Sequence, residues 1–177
     1  AHLATARLPA GVLERSGRLR VLSARGHDVT LLISEKKIDS LAASGHPGLR
    51  FERLPFLAMP KPWSPKMISF LTGMFKGMNA ARALIRKHEA QVVLGMGGFT
   101  STAPVLAGRM EKIRTLIHDS NAVPGKANRL TARFSDVVLL GFEECSKHFP
   151  RKETHVTGTP VRTALLQAVK TIKRPEA

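Results

Sequence analysis

Short apolar runs alternate with longer amphipathic segments along the chain, and this alternation predicts its secondary structure. Runs rich in Val, Leu and Ile predict strands at 28–34, 92–94, 115–117 and 137–140, with a shorter one at 155–157. Residues 50–54 alternate charged and apolar side chains, which predicts an edge strand. Segments with helical periodicity or helix-start signals predict helices at 35–44, 66–88, 102–110, 126–134, 143–148 and 162–170.

The order of these elements predicts one α/β domain with a parallel sheet. Strands and helices alternate from residue 25 to residue 166, and parallel strands joined by right-handed crossovers carry helices on both faces. Residues 1–24 have a broken helical period, so this segment is predicted to be atypical. Residues 55–65 hold four prolines and predict a loop, and 167–177 is expected to begin a linker.

Two polar loops follow neighbouring predicted strands. Gly95–Ser101 reads GMGGFTS after an apolar run, and His118–Asn121 reads HDSN after the next one. Ligands of parallel sheets bind at the carboxyl ends of strands, and helix N-termini favour anions. The loops therefore predict one ligand crevice. A tight strand-to-helix turn explains the glycines about as well, and an Asx-turn that starts a helix at Pro124, with His118 in the core, explains the second loop.

The side chains of these loops suit polar ligands. Thr100 and Ser101 can cap a helix or bind a phosphate. His118 and Asp119 can do acid–base work or bind a pyrophosphate-linked substrate. Asn121 offers a donor and an acceptor, which suit a sugar or a base edge.

A further arginine, Arg162, is predicted to begin a helix at the same edge of the sheet, where it can pair with phosphate oxygens or hold a loop carbonyl. An arginine at a helix N-terminus opposes the helix dipole. This mildly favours a ligand or interdomain role for Arg162.

Net charge and composition limit the classes of molecule that this chain is expected to bind. The 177 residues carry 28 Lys and Arg against 13 Asp and Glu, a net charge of +15. Such an excess favours anionic partners, although a solvated basic surface accounts for it too. With 8 Phe, 1 Trp and 0 Tyr the chain is poor in stacking side chains, so no nucleic-acid partner is expected. No apolar run approaches the ~20 residues that cross a bilayer.

The segment 59–87 combines Trp63, Phe70 and Phe75 with several Lys and Arg residues. A basic amphipathic helix can rest on an anionic membrane surface. The simpler interpretation, a helix that packs its Met and Leu side chains on the sheet, is favoured, and the two are compatible on different faces.

The sequence predicts neither a metal site nor a cofactor. The seven histidines lack ligand spacing with the single cysteine, Cys145. One cysteine also excludes an internal disulfide framework. A Cys–His nucleophilic pair stays open, although nothing marks Cys145 as activated.

Four segments in order, 25–29, 92–99, 118–129 and 156–162, closely resemble the N-terminal half of the MurG-type transferases of glycosyltransferase family 28. The resemblance implies half of a GT-B fold, which has two Rossmann-like domains. It also implies transfer of N-acetylglucosamine from UDP-GlcNAc to undecaprenyl-pyrophosphoryl-MurNAc-pentapeptide (lipid I), forming lipid II in peptidoglycan synthesis. The expected location is peripheral, at the cytoplasmic face of the bacterial cell membrane.

The resemblance also implies site roles. Residues 25–166 would be the acceptor-binding domain, with acceptor pyrophosphate contacts at Gly97, Gly98, Thr100, Ser101, His118 and Asp119. Asn121 and Arg162 match family positions that contact the UDP-sugar donor. If Ala1-His2-Leu3 is a remnant of the family's Gly-His-Leu, His2 would be the proposed catalytic histidine.

The sequence departs from the family pattern in three places. The family's first strand and its Gly-Gly-Thr-Gly-Gly loop are missing or altered. The usual His-Glu-Gln-Asn reads His-Asp-Ser-Asn at 118–121. The donor-binding domain is absent from residues 1–177, so the chain alone is predicted to be inactive. The alternatives are a non-catalytic basic module that binds anionic lipid or nucleic acid, and a degenerate remnant that folds poorly without its first strand.

Overall fold

A computed structural model describes residues 2–5, 22, 25–34, 50–55 and 64–159 of the chain. The strands are β1 (His2–Thr5), β2 (Val29–Ser34), β3 (Arg50–Leu54), β4 (Val92–Gly95), β5 (Arg114–Asp119), β6 (Val137–Leu140) and β7 (Glu153–Val156). The helices are α1 (Lys66–Lys87), α2 (Thr102–Met110) and α3 (Lys126–Ala132), with 3-10 helices at Phe99–Ser101 and Glu143–His148.

All seven strands are parallel and form one sheet in the order β3-β2-β1-β4-β5-β6-β7. The strand order reverses between β1 and β4, and ligands of such sheets bind outside the carboxyl ends at this switch point. β3 lies at an edge, as its alternating sequence predicts. The predicted α/β fold with a parallel sheet is confirmed.

The prediction that the first strand is missing is wrong. β1 occupies the centre of the sheet, where His2 pairs with Val29 of β2 and Val92 of β4. Its four residues, HLAT, are too few to show periodicity. Pairing on both sides, which local sequence does not reveal, makes this segment a strand. The position of the family's glycine loop after β1 lies outside the described residues.

The core lies where apolar strand residues meet the helices. Val93 of β4, Ile117 of β5 and Val138 of β6 are almost fully buried. Helix α2 packs against them closely at Gly108, where an added Cβ would lie 2.8 Å from Thr115 Cγ2 and 3.0 Å from Val93 Cγ2. A residue without a side chain lets this helix approach the sheet.

Helix boundaries follow the sequence closely. Helices α1 and α2 cover the predicted 66–88 and 102–110 to within one residue, while α3 ends two residues earlier than predicted. The predicted helices at 35–44 and 162–170 lie outside the described residues.

An ion-pair cluster joins α1 to the end of α2. Glu111 accepts hydrogen bonds from Arg82 Nε at 2.7 Å and from Arg86 Nε and Nη2 at 2.9 Å each. The bonds from Arg86 and then Arg82 lower the pKa of Glu111 to about 2. The cluster therefore ties two helices that lie on the same side of β4.

A second carboxylate stabilises the amino edge of the sheet. Asp136 Oδ2 accepts hydrogen bonds from the backbone N–H of Thr115 at 2.8 Å and its hydroxyl at 2.9 Å. Burial alone would raise the pKa of Asp136, but these bonds, with the charges of Arg109 and Arg114, bring it below its ordinary value. Asp136 thus holds the start of β5 beside the start of β6.

Candidate functional site

A glycine loop leaves the carboxyl end of β4 and leads into α2. Gly97 and Gly98 have φ angles of 96° and 79°, which L side chains rarely adopt, so the turn requires glycine at both positions. The Ser101 hydroxyl donates to the Gly98 carbonyl at 2.8 Å and is buried beneath the loop. Ser101 therefore stabilises the turn from below.

Thr100 differs from Ser101 in the use of its hydroxyl. Thr100 is half-buried, and its Oγ1 atom is buried without a hydrogen-bond partner in the described part of the chain. An unpaired buried hydroxyl is unfavourable in the free protein. The Thr100 hydroxyl therefore differs from that of Ser101, which is already bonded within the loop.

The next polar residues begin inside a strand rather than after it. The sequence predicted a loop from His118, but β5 continues to Asp119, which pairs with Leu140 of β6. Main-chain pairing to β6 extends the strand, and local sequence does not report such pairing. Both side chains are buried, with exposures of 2% for His118 and 1% for Asp119.

His118 connects β5 to the loop after β7. Its Nε2 lies 3.1 Å from the carbonyl oxygen of Gly158, and its Nδ1 lies 3.3 Å from the Ser120 hydroxyl. Because a carbonyl only accepts, Nε2 carries the hydrogen and Nδ1 accepts from Ser120. The ring thus holds the Gly158 loop against the end of β5.

Asp119 uses both of its carboxylate oxygens within the protein. Oδ1 accepts from the backbone N–H of Asn121 at 2.9 Å and from Asn121 Nδ2 at 3.0 Å. Oδ2 accepts from Asn128 Nδ2 at 2.8 Å. The bond from the Asn121 backbone N–H closes an Asx-turn and His118 is buried, as one sequence interpretation predicted, but the helix that follows begins at Lys126 and not at Pro124. The two bonds to Oδ1 present the exposed Asn121 at the edge of the sheet.

Asn128 joins the glycine loop to the end of β5. It lies on the buried side of α3 with 6% exposure, and its amide is so close to Gly97 that an added Cβ there would lie 3.4 Å from Nδ2. Sequence reasoning missed Asn128. The available signal was a polar residue between Ala127 and Thr131 on an otherwise buried helix face.

Gly141 brings three strand ends together. An added Cβ at Gly141 would lie 2.6 Å from Thr159 Oγ1 and 3.0 Å from Ser120 Cα, and its N–H donates to the Asp119 carbonyl at 2.7 Å. This contact was also not predicted. The loops after β5, β6 and β7 therefore meet at one place.

The structure brings together most of the predicted site residues. Gly97, Gly98, Thr100, Ser101, His118, Asp119 and Asn121 all lie at the carboxyl ends of β4 and β5. His2 does not join them, because it pairs with the first residues of β2 and β4 at the opposite, amino edge. Arg162 lies outside the described residues.

Cys145 lacks the features of a nucleophile. Burial raises the pKa of its thiol, and the charge of Asp119 raises it further against an opposing effect of Arg129. A raised pKa reduces the thiolate fraction, and the thiolate is the reactive form. Among the described residues no group of three or more His, Cys, Asp or Glu side chains is placed to hold a metal ion.

Comparison with solved structures shows where this fold occurs. MurG of Acinetobacter baumannii matches with a TM-score of 0.71 at 23% identity, over 91% of this chain and 46% of that one. The UDP-GlcNAc 2-epimerase of Neisseria meningitidis, solved bound to UDP-GlcNAc, matches with a TM-score of 0.66 at 17% identity, over 95% and 49%. At these identities the likeness shows the fold alone, and this chain corresponds to about half of each of those two chains.

Sequence comparison identifies the family. The glycosyltransferase family 28 N-terminal domain matches residues 19–140. A UDP-N-acetylglucosamine--N-acetylmuramyl-(pentapeptide) pyrophosphoryl-undecaprenol N-acetylglucosamine transferase of Halothermothrix orenii is 39% identical over 122 residues, 67% of this chain and 33% of that protein. A protein of the same name from Gloeothece citriformis is 38% identical over 104 residues, 59% and 29%. The chain thus spans about a third of the length of these curated relatives. It belongs to the glycosyltransferase family 28 N-terminal domain family.

Proposed function

We propose that this chain is the acceptor-binding part of a hexosyltransferase that moves N-acetylglucosamine from UDP-GlcNAc to undecaprenyl-pyrophosphoryl-MurNAc-pentapeptide. The reaction is the one after which the relatives from Halothermothrix orenii and Gloeothece citriformis are named. One observation in this chain carries the proposal: the glycine loop after β4 lies beside the Asp119–Asn121 turn at the switch-point edge of the sheet. Such an edge is the usual ligand site of parallel α/β sheets.

In this proposal the glycine loop binds the acceptor pyrophosphate. Gly97 and Gly98 allow the backbone to approach the anion closely, and they lie at the N-terminal end of the 3-10 helix Phe99–Ser101, where helix geometry favours an anion. Thr100 adds a hydroxyl donor that has no hydrogen-bond partner among the residues that the structure describes. Ser101, His118 and Asp119 do not bind the anion directly in this proposal, because their polar atoms already form hydrogen bonds within the chain. They stabilise the loops that do.

The donor side of the proposed site is formed by Asn121, which is exposed, together with Arg162. In the reaction an acceptor hydroxyl attacks the anomeric carbon of N-acetylglucosamine, and UDP leaves with inversion. A base removes the proton of that hydroxyl. No catalytic role is proposed for His2, because its backbone lies at the amino edge, away from the loops.

The pyrophosphate site is tested with a soluble short-chain prenyl pyrophosphate. We expect the chain to bind it, and Thr100→Val to weaken binding about tenfold, the size of one hydrogen bond to a charged group. Because the substitution removes an unpaired buried hydroxyl, the free energy of unfolding should not fall. Thr72→Val, on an exposed part of α1, is the matched control and should change neither quantity.

A salt series separates this proposal from a non-catalytic basic module. Calorimetry with the prenyl pyrophosphate, an oligonucleotide and anionic vesicles should show preference for the pyrophosphate and a shallow salt slope. Equal affinity for every polyanion, each with the steep slope of counterion release, would instead support the basic module.

We also propose that the N-terminal half of α1 rests on an anionic membrane surface, at the cytoplasmic face of a bacterial membrane. Ile68, Leu71 and Phe75 are 72%, 50% and 62% exposed and recur at helical spacing on one face, next to the exposed Lys76. Exposed apolar side chains beside basic ones are typical of interfacial helices. Within the described residues no helix has the length and hydropathy of a bilayer span.

Vesicle sedimentation tests this membrane surface. We expect binding to vesicles that contain anionic lipid, weaker binding to zwitterionic vesicles, and a loss of at least fivefold for Phe75→Ser. Met110→Ser removes an apolar side chain with 50% exposure at the end of α2 and is the matched control. Equal losses for both variants, or no loss for Phe75→Ser, would contradict the assignment of this face.

A further inference from the structure

Two asparagine amides meet one buried carboxylate at the end of β5. Asp119 is 1% exposed, and its two oxygens accept hydrogen bonds from the Nδ2 groups of Asn121 and Asn128. An ionised carboxylate has no hydrogen to donate. Each amide must therefore turn its nitrogen toward Asp119 and its oxygen away.

The consequence differs for the two amides. Asn121 is exposed, so its Oδ1 faces the solvent at the edge of the sheet. Asn128 is only 6% exposed, and its Oδ1 is buried without a hydrogen-bond partner in the described part of the chain. Its amide lies against Gly97, where an added Cβ would be 3.6 Å from that oxygen.

An unpaired buried acceptor is unfavourable, and proteins retain one where something else compensates for it. Rotating the Asn128 amide through 180° would not satisfy this oxygen, because it would then face Asp119 Oδ2 and the His118 carbonyl oxygen, to which the amide nitrogen donates at 2.8 Å and 3.4 Å. Asp119, together with this carbonyl, thus holds the Asn128 oxygen unpaired beside the glycine loop. A ligand that shifts the loop and brings a hydroxyl or N–H hydrogen relieves it.

We infer that Asp119 is a positioning residue that orients the amides of Asn121 and Asn128, so that this end of the crevice presents hydrogen-bond acceptors and selects a hydroxyl-bearing sugar. Hydrogen-bond donors and acceptors of the site then bind different parts of the ligand. Backbone N–H groups and Thr100 at the glycine loop bind the anion, the Asn128 oxygen accepts from a hydroxyl of the sugar attached to that anion, and the exposed Asn121 oxygen accepts from a hydroxyl of the donor sugar. A carboxylate or phosphate oxygen placed at these amides would meet acceptors only.

The sugar preference rests on the proposed function, whereas the orientation of the amides does not, and two measurements separate them. The first uses the chain without ligand. NMR should find that the Nδ2 protons of Asn121 and Asn128 exchange with solvent at least tenfold more slowly in the wild type than in Asp119→Asn. The substitution replaces one of the two acceptor oxygens with a donor NH₂ group, which would force one of the neighbouring amides to turn over. Unchanged exchange would overturn the inference whatever the ligand.

The second measurement compares two probes, a short-chain prenyl pyrophosphate with a terminal N-acetylated sugar and the same pyrophosphate without it. We expect the wild type to prefer the sugar-bearing probe, and D119N to reduce this preference about fivefold, the size of one neutral hydrogen bond. Affinity for the sugar-free probe should change less than twofold. The double variant D119N/N128D restores the carboxylate–amide pair and should recover most of the preference.

The matched control is Asp136→Asn, the same change in a strand-end carboxylate at the amino edge. It should destabilise the fold and leave the sugar preference unchanged. If D136N reduces the preference as much as D119N does, the effect is loss of stability and the inference is wrong. If the sugar-free probe does not bind even the wild type, the pyrophosphate proposal fails, and the exchange measurement alone decides on Asp119.

Discussion

At the scale of single residues, the glycine loop depends on backbone conformation more than on side-chain contacts. Gly97 has a φ of 96°, and an added Cβ would touch Asn128 only at 3.4 Å, an ordinary contact. The requirement for glycine therefore comes from the dihedral angle. Its neighbour Gly98 needs glycine for the same reason, with a φ of 79°.

We predict that Gly97→Ala lowers the free energy of unfolding by about 1–2 kcal/mol, the cost of a left-handed conformation for an L residue, and weakens pyrophosphate binding. Urea unfolding and calorimetry measure the two effects. Gly125→Ala is the control, because Gly125 has a φ of −65° and open space around an added Cβ. There the reduced entropy of the unfolded chain offsets the loss of a favoured N-cap residue, so stability should change by less than ~0.5 kcal/mol.

At the scale of elements, α1 and α2 are coupled through Glu111. The folded pKa of about 2 lies below the ordinary value of 4.5 because Arg86 and Arg82 favour the carboxylate. A lowered pKa contributes stability that is fully present above pH 4.5 and is lost as the pH falls toward 2. The pairs are partly exposed, so added salt should weaken the contribution.

Glu111→Gln should therefore destabilise the chain at pH 6, and the difference from the wild type should shrink steadily between pH 4.5 and pH 2. Urea unfolding over this range measures it. Glu144→Gln serves as the control, since Glu144 is exposed and forms no ion pair among the described residues. A wild-type advantage that persists unchanged at pH 2 would contradict the role of this ion pair.

At the scale of the whole molecule, β1 joins two parts of the sheet. It is the only described strand between β2–β3 on one side and β4–β7 on the other, and it pairs over four residues with each neighbour. One of the two strands at the switch point, β1, is therefore a strand that the local sequence hardly indicates, while the other, β4, leads into the glycine loop.

We predict that Leu3→Pro, in the middle of β1, lowers the free energy of unfolding by about 3 kcal/mol or more, because proline removes a ladder hydrogen bond in a central strand. Glu153→Pro at the first residue of the edge strand β7 should cost much less. Circular dichroism during urea unfolding compares them. Equal losses would mean that β1 does not bridge the sheet.

The sequence by itself determined the strands and helices whose signals are local. Val137–Leu140 is a continuous apolar run and Thr102–Met110 begins beside hydroxyl residues, so β6 and α2 have their predicted bounds. The parallel direction of the strands also follows from the sequence pattern, because a chain in which strands alternate with helices can bury both faces of a sheet in few ways. The predicted resemblance to glycosyltransferase family 28 is confirmed for the same reason: its motifs are contiguous segments.

Only the tertiary structure decided what depends on pairing between distant residues. β1 is a strand because Val29 and Val92 flank His2, and the same pairing places His2 at the amino edge. Asp119 lies inside β5 because Leu140 of β6 pairs with it, and Asn128 enters the site from a helix nine residues later. Hydrogen bonds across the sheet and between loops join residues that are distant in the sequence, so no local pattern predicts them. These bonds determine which polar side chains are exposed at the edge of the sheet and which hold them in place.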